Sequence, residues 1–366
     1  MAREPSLEII DWRLARSVAL AVAGSQHAAG PFSRADSLSL KSEFAELTAR
    51  ADDMVREFTG LATGSAAPRV VVLDRRGWAE ANLIGIRRLL TPFASHLASR
   101  PAPPRSGPAR TVVRAGVRAG LGAEVGGLLG YLSGRVLGQF DLLRPEDPEG
   151  LVYYVGPNVL GLEAEHHLPS REFRLWVALH EVTHAAQFNG VAWLREYFRS
   201  LVSDYFTAAE KEGGGLVEIF RRARLALTGA RRGERADLIG ILAGPAQREV
   251  ISRMQALMSV LEGHGDFVMD RLGAGVIPHL DSMRRMVEAR RASATGVNRA
   301  FQRLVGIEMK LAQYRAGAAF VGEVEARAGS GGIERLFSSP EALPRLDEIV
   351  APTRWLDRVG YPGRED

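Results

Sequence analysis

Residues 169–190 read Pro-Ser-Arg-Glu-Phe-Arg-Leu-Trp-Val-Ala-Leu-His-Glu-Val-Thr-His-Ala-Ala-Gln-Phe-Asn-Gly. Pro169-Ser170 with Glu172 in the first turn marks a helix start, and Asn189-Gly190 marks its stop. At 3.6 residues per turn, Phe173, Trp176, Val177, His180, His184 and Phe188 share one face, so two histidines point toward the core. His180 and His184, at i and i+4, lie one above the other and can reach a single ion. Glu181 sits one step further round, where a carboxylate can take a proton from water rather than bind the ion. With eight histidines in the chain, this five-residue pattern is expected by chance on the order of 0.01 times. Two core histidines bonded to carboxylates would explain the pair, but not the intervening Glu on an otherwise apolar helix.

A catalytic zinc takes three protein ligands and leaves a position open. No histidine follows close enough behind Gly190, so a third ligand is sought downstream. Leu261-Glu262-Gly263-His264-Gly265-Asp266 lies about 80 residues on, late in a helical pattern whose apolar face runs through Ile251, Met254, Met258 and Leu261. Glu262 falls on that face as the expected third ligand. Asp266, at i+4, is placed to accept a hydrogen bond from the far nitrogen of a liganding histidine. A Glu with an Asp four residues later is the arrangement gluzincin metallopeptidases use. His264 is the rival ligand; otherwise it is a donor to a developing oxyanion, and so a catalytic candidate beside Glu181.

Outward from this centre the chain reads mainly helical with a few short strands. Helical spacing covers 11–23, 37–59, 78–97, 111–140, 170–188, 191–210, 216–228, 235–271, 280–305 and 307–327. Strand signals are the β-branched run Arg69–Asp74 and Leu151-Val-Tyr-Tyr-Val155, closed by Gly156-Pro157. Glycines at 122, 126, 130 and 134 recur every fourth residue and predict a helix packed closely along a small-residue ridge. Arg144–Gly150 reads as a boundary, giving a helical domain over 1–145 with one short strand and a catalytic domain over 146–366. The strand around Tyr153-Tyr154 is a candidate edge for an extended peptide. His166-His167 reads most simply as a polar loop, Tyr314 as a packing residue able to donate to an oxyanion, and Trp78 and Trp355 as core.

Composition bounds the rest. The 366 residues suffice for roughly two domains. The absence of cysteine excludes disulfides, thiol nucleophiles and Cys-held metals, leaving His, Asp and Glu as ligands. Of 47 basic residues only Lys41, Lys211 and Lys310 are lysine, an arginine surplus that argues for coding bias more than for nucleic acid. The clusters Arg221-Arg222-Arg224 and Arg231-Arg232 lack interleaved aromatics, so no nucleic-acid partner is expected. Arg118, Glu124 and Arg135 interrupt the best apolar stretch, so no membrane span is expected. The run Ser17–Gly24 reads as an amphipathic first helix rather than an export signal, and the expected compartment is the cytoplasm.

The chain resembles zincin-like hydrolases whose name links them loosely to biosynthesis of a deazaflavin coenzyme. The resemblance is carried by Asp11-Trp12, Val72–Trp78 with Asn82, Leu132–Gln139, Tyr154–Asn158, His180–Phe188, Leu261–Asp270 and Trp355–Arg358. It implies a helical N-terminal domain joined to a zincin-like metallopeptidase domain, with the family's HExxH on His180, Glu181 and His184 and its Leu-Glu-Gly-His element on Leu261 to His264. The expectation is a zinc-dependent hydrolase acting on a peptide or protein, with Glu181 as general base; the alternative is a metal-holding binding or scaffold protein.

Overall fold

Two runs of β-branched and aromatic residues meet at the centre of the molecule. The computed structural model describes residues 10–26, 32–61, 66–98, 108–142, 150–211, 244–292 and 307–361. β1 (Arg69–Leu73) lies parallel to β3 (Leu151–Val155), with Val71 opposite Tyr153. β2 (Gly138–Phe140) pairs antiparallel with the other side of β3, giving the order β1-β3-β2. Every residue of β3 is buried, because helices cover both faces of the sheet. Val72, Phe140, Val152 and Tyr154 point into one core; Leu151, Tyr153 and Val155 point into the other.

The helices are α1 (Trp12–Ser25), α2 (Arg34–Thr59), α3 (Arg75–Ala98), α4 (Pro108–Ser133), α5 (Gly156–His166), α6 (Ser170–Gly190), α7 (Leu194–Lys211), α8 (Pro245–Val276), α9 (Leu280–Ala292), α10 (Ile307–Leu336), α11 (Leu346–Ile349) and α12 (Pro352–Val359). The mainly helical class with a small sheet is therefore as the sequence predicts. α1, α3 and α4 pack together on one face of the sheet; α2 and α6 cover the other, backed by α8 and α10. β1 precedes residue 145 and β3 follows 146, and the larger core runs from Leu40 to Leu356, so the sheet and this core draw on both stretches. None of the described helices is long and apolar enough to cross a membrane.

Three local readings change. The helix expected to run to residue 140 stops at Ser133, and Gly138–Phe140 becomes β2. Three residues without a β-branched side chain carry no strand signal; pairing with β3 makes them one. Gly156-Pro157 closes the strand as expected and also opens α5, a helix absent from the expected set, with Pro157 in the first turn, where its missing N–H costs nothing. The strand holding Tyr153 and Tyr154 is the central one, so it is not an edge; the edges are β1 and β2. Tyr154 stacks on Phe44 and shares a hydrogen bond with Thr48, and Tyr153 donates to Asp141. The helix expected over 216–228 and the arginine clusters at 221–232 lie outside the described residues.

Close helix approach sets much of the packing. Ala15, Ala19 and Ala23 of α1 are buried against the glycine ridge of α4. A Cβ on Gly126 would lie 2.3 Å from the Ala15 carbonyl oxygen, whereas one on neighbouring Gly127 would meet nothing within 4 Å. Gly126→Ala is therefore expected to destabilise by ~1–3 kcal/mol through overpacking. Gly127→Ala is expected to stabilise by up to ~1 kcal/mol through helix propensity. Thermal denaturation of the two variants should shift in opposite directions; equal shifts would contradict the ridge.

Candidate metal centre

The centre is built where α6 and α8 cross. α6 carries His180, Glu181 and His184, and is held to α2 and α5 by Arg174, which bonds Glu43 and both carboxylate oxygens of Glu163. α8 carries Glu262, His264, Gly265 and Asp266. Its depth is set by a tight crossing with α10: a Cβ on Gly317 would lie 2.0 Å from the Ser259 carbonyl oxygen, and one on Gly263 would meet Gly317. On the opposite side Gly265 rests on both imidazoles, at 3.4 Å from each Cε1 to its ideal Cβ position.

This crossing brings three donor atoms together. His180 Nε2 and His184 Nε2 are 3.2 Å apart, and Glu262 Oε2 lies 3.6 Å from the first and 3.9 Å from the second. In a tetrahedral site with bonds near 2.1 Å, ligand atoms lie about 3.4 Å apart, so the spacing suits a zinc-sized ion. Two imidazoles and one carboxylate are also a borderline donor set appropriate to zinc. The side chains are 23%, 14% and 23% exposed in the order His180, His184, Glu262, so the cluster opens to solvent on one side. It is the group of metal-ligating side chains found among the described residues.

Glu181 lies beside this triangle, buried, with Oε2 accepting the Phe140 backbone N–H at 3.0 Å. That N–H points away from β3, toward the outer edge of β2. Gly138 is what lets β2 approach: a Cβ there would lie 2.5 Å from Glu181 Cγ. Burial raises the Glu181 carboxyl above its ordinary range, and the charges of His180 and His184 and the Phe140 N–H offset this only in part. Burial by itself would lower His180, but the carboxylates of Glu262, Glu181 and Asp266 outweigh it and hold the ring at about 9. Such charge crowding at a partly open site is the condition that suits a bound cation.

The remaining expected residues fall into place differently. Asp266 Oδ1 is 3.8 Å from His180 Nδ1, an ion-pair distance rather than the hydrogen bond the spacing predicts. His264 does not join the three donors. It is 1% exposed, its Nδ1 is 3.0 Å from Gln187 Nε2, and its ring packs edge-on against Phe337. Burial, followed by the neighbouring His184, pushes it down to about 3. The reason is rotation: two residues along a helix turn a side chain about 200°, so Glu262 and His264 face different neighbours. His166 and His167 lie exposed at the end of α5, His167 in the left-handed region at φ 50°. Trp78 and Trp355 are buried. The side chain of Tyr314 lies outside the described residues.

Three contributors escape the sequence reading. Gly138 and Phe140 sit on a strand with no local signal. Gln187 sits one turn after His184 on the same helix, and its Oε1 is 2.9 Å from His184 Nδ1. The i+3 spacing after the second histidine is a signal for it, since such neighbours meet on a helix surface.

Comparison with known proteins bears on the class. A family model described as zincin-like metallopeptidase matches residues 10–356. A crystal structure from Chloroflexus aurantiacus, of a protein provisionally designated a hydrolase with a novel fold, is 31% identical. The match covers 97% of this chain and 100% of that one, with a TM-score of 0.69. A search of curated proteins finds no match.

Proposed function

This chain belongs to the zincin-like metallopeptidase family, and we propose that it is a zinc-dependent hydrolase of peptides, gluzincin-like in its ligands. The observation that supports this best is the convergence of His180, His184 and Glu262 from two helices beside the buried carboxylate of Glu181. A zinc held by those three would supply Lewis acidity, acidifying water and polarising a carbonyl. Glu181 accepts the proton from the attacking water and returns it to the leaving amine. The Phe140 N–H holds that carboxylate in place, and Gly138 keeps room for it. A peptide laid across the open side of the His180, His184 and Glu262 cluster brings a backbone carbonyl to the centre. The link to deazaflavin-coenzyme biosynthesis rests on sequence resemblance alone.

The test is metal analysis of the purified protein followed by a peptide-library cleavage screen. One zinc per chain with zinc-dependent cleavage supports the reading. Zinc without cleavage of any library member favours the scaffold alternative, and no metal at all removes both.

The ligand set makes a separate expectation. Glu262→Ala loses a donor atom and is expected to weaken zinc binding more than ~100-fold, beyond the usual effect of an outer partner. His264→Ala is expected to weaken it less, because His264 touches the centre only through Gln187. Competition titrations with a chromogenic chelator giving the reverse order would mean that Glu262 is not the third ligand.

A further inference from the structure

We propose that Gln187 is a positioning residue that dictates which nitrogen of His184 faces the metal, through a hydrogen-bond relay joining α6 to α8. The inference rests on the reading of His180, His184 and Glu262 as metal ligands. Gln187 is fully buried, and its side-chain amide meets three partners. Its Nε2 lies 2.9 Å from the Leu261 carbonyl oxygen and 3.0 Å from His264 Nδ1; its Oε1 lies 2.9 Å from His184 Nδ1.

For a neutral His184, only one proton arrangement satisfies these contacts. A peptide carbonyl can accept but not donate, so the amide nitrogen must be the atom facing Leu261. The amide oxygen is then the atom facing His184, and it too can only accept. His184 must therefore carry its hydrogen on Nδ1. A neutral imidazole has one N–H, so Nε2 presents its lone pair. Nε2 is the atom that faces His180 Nε2 and Glu262 Oε2. Metal binding needs a bare nitrogen there. The second amide hydrogen points at His264 Nδ1, which accepts it. Turning the amide over would set oxygen against the Leu261 carbonyl, so the amide has no flipped alternative.

The relay also explains His264, which the centre itself leaves unused. His264 and Leu261 flank Glu262 on α8, so the amide that orients one ligand on α6 is anchored to the segment bearing another. Among the described residues the carboxylate facing His180 Nδ1 is Asp266, 3.8 Å away and beyond hydrogen-bond distance. The relay acts on His184.

The experiment uses the full chain, metal-free and zinc-loaded. Long-range ¹⁵N correlation spectra of the metal-free protein should show His184 protonated at Nδ1 and bare at Nε2. Gln187→Met keeps the side-chain length without donors or acceptor. It should lose that tautomer preference and weaken zinc binding 10- to 100-fold in chelator competition, the range for an orienting partner. A residue that merely packs would shift the melting temperature and leave tautomer and zinc constant alone. An unchanged zinc constant in Gln187→Met, or a wild-type His184 protonated at Nε2, overturns the proposal. Should Gln187→Met fail to fold, the wild-type spectrum alone decides. A wild-type chain that takes up no zinc defeats the metal reading instead, and the spectrum still reports on the relay.

Discussion

Glu181→Gln protein is expected to keep its zinc and to lose peptide hydrolysis by roughly 100- to 10,000-fold, the range for a positioned general base. Gln preserves size and can still accept the Phe140 N–H that now binds Glu181 Oε2. It cannot accept a proton from water. Because a base and a metal centre act as one unit, most of the rate should go with it while the ligand geometry stays. Zinc content and initial rates on a cleaved library peptide, measured on the same preparation, read both halves. Hydrolysis at the wild-type rate would refute the role given to Glu181. Loss of zinc together with rate would show that the carboxylate belongs to the ligand set.

Removing the metal should cost the fold almost as visibly. His180 and His184 lie on α6 and Glu262 on α8, so an ion between them bridges two helices that are far apart in sequence. A ligand that binds only the folded state stabilises it by roughly 4 kcal/mol at about 1,000 times its Kd. At ~2–4 °C per kcal/mol for a large domain, a chelator should lower Tm by on the order of 10 °C. His184→Ala should bind less than one zinc equivalent and melt at the same temperature with or without chelator. A full equivalent in that variant, or a wild-type Tm indifferent to chelator, would refute the assignment.

Local chemistry was legible wherever a residue's role depends on its own helix. The pairing of His180 with His184 follows from i,i+4 geometry, and α6 runs from Ser170 to Gly190 as its terminal signals predict. The glycine ridge at 122, 126 and 130 follows from the same arithmetic and meets α1 as expected. The strands Arg69–Leu73 and Leu151–Val155 announced themselves through β-branched and aromatic side chains. Gly138–Phe140 could not, because nothing in three such residues favours extension until β3 offers its hydrogen bonds. The same holds for α5, where Gly156-Pro157 reads equally as a stop or a first turn.

For the centre, the apolar face of α8 put Glu262 inward and His264 on a different face, but periodicity does not say which neighbouring helices those faces meet. Packing decides that. Gly263 against Gly317 fixes the depth of α8, and Gly265 against the two imidazoles fixes its rotation, leaving Glu262 toward the histidines and His264 toward Gln187 and Phe337. Asp266 landed at 3.8 Å from His180 because the distance between two helices is set by their whole interface, not by one pair. What the sequence by itself determined was which residue types recur at which helical spacing, since that depends on backbone geometry alone. Which helices meet, which strands are the edges and what faces each nitrogen of His184 were decided only by the tertiary structure, because each depends on partners far away in the chain.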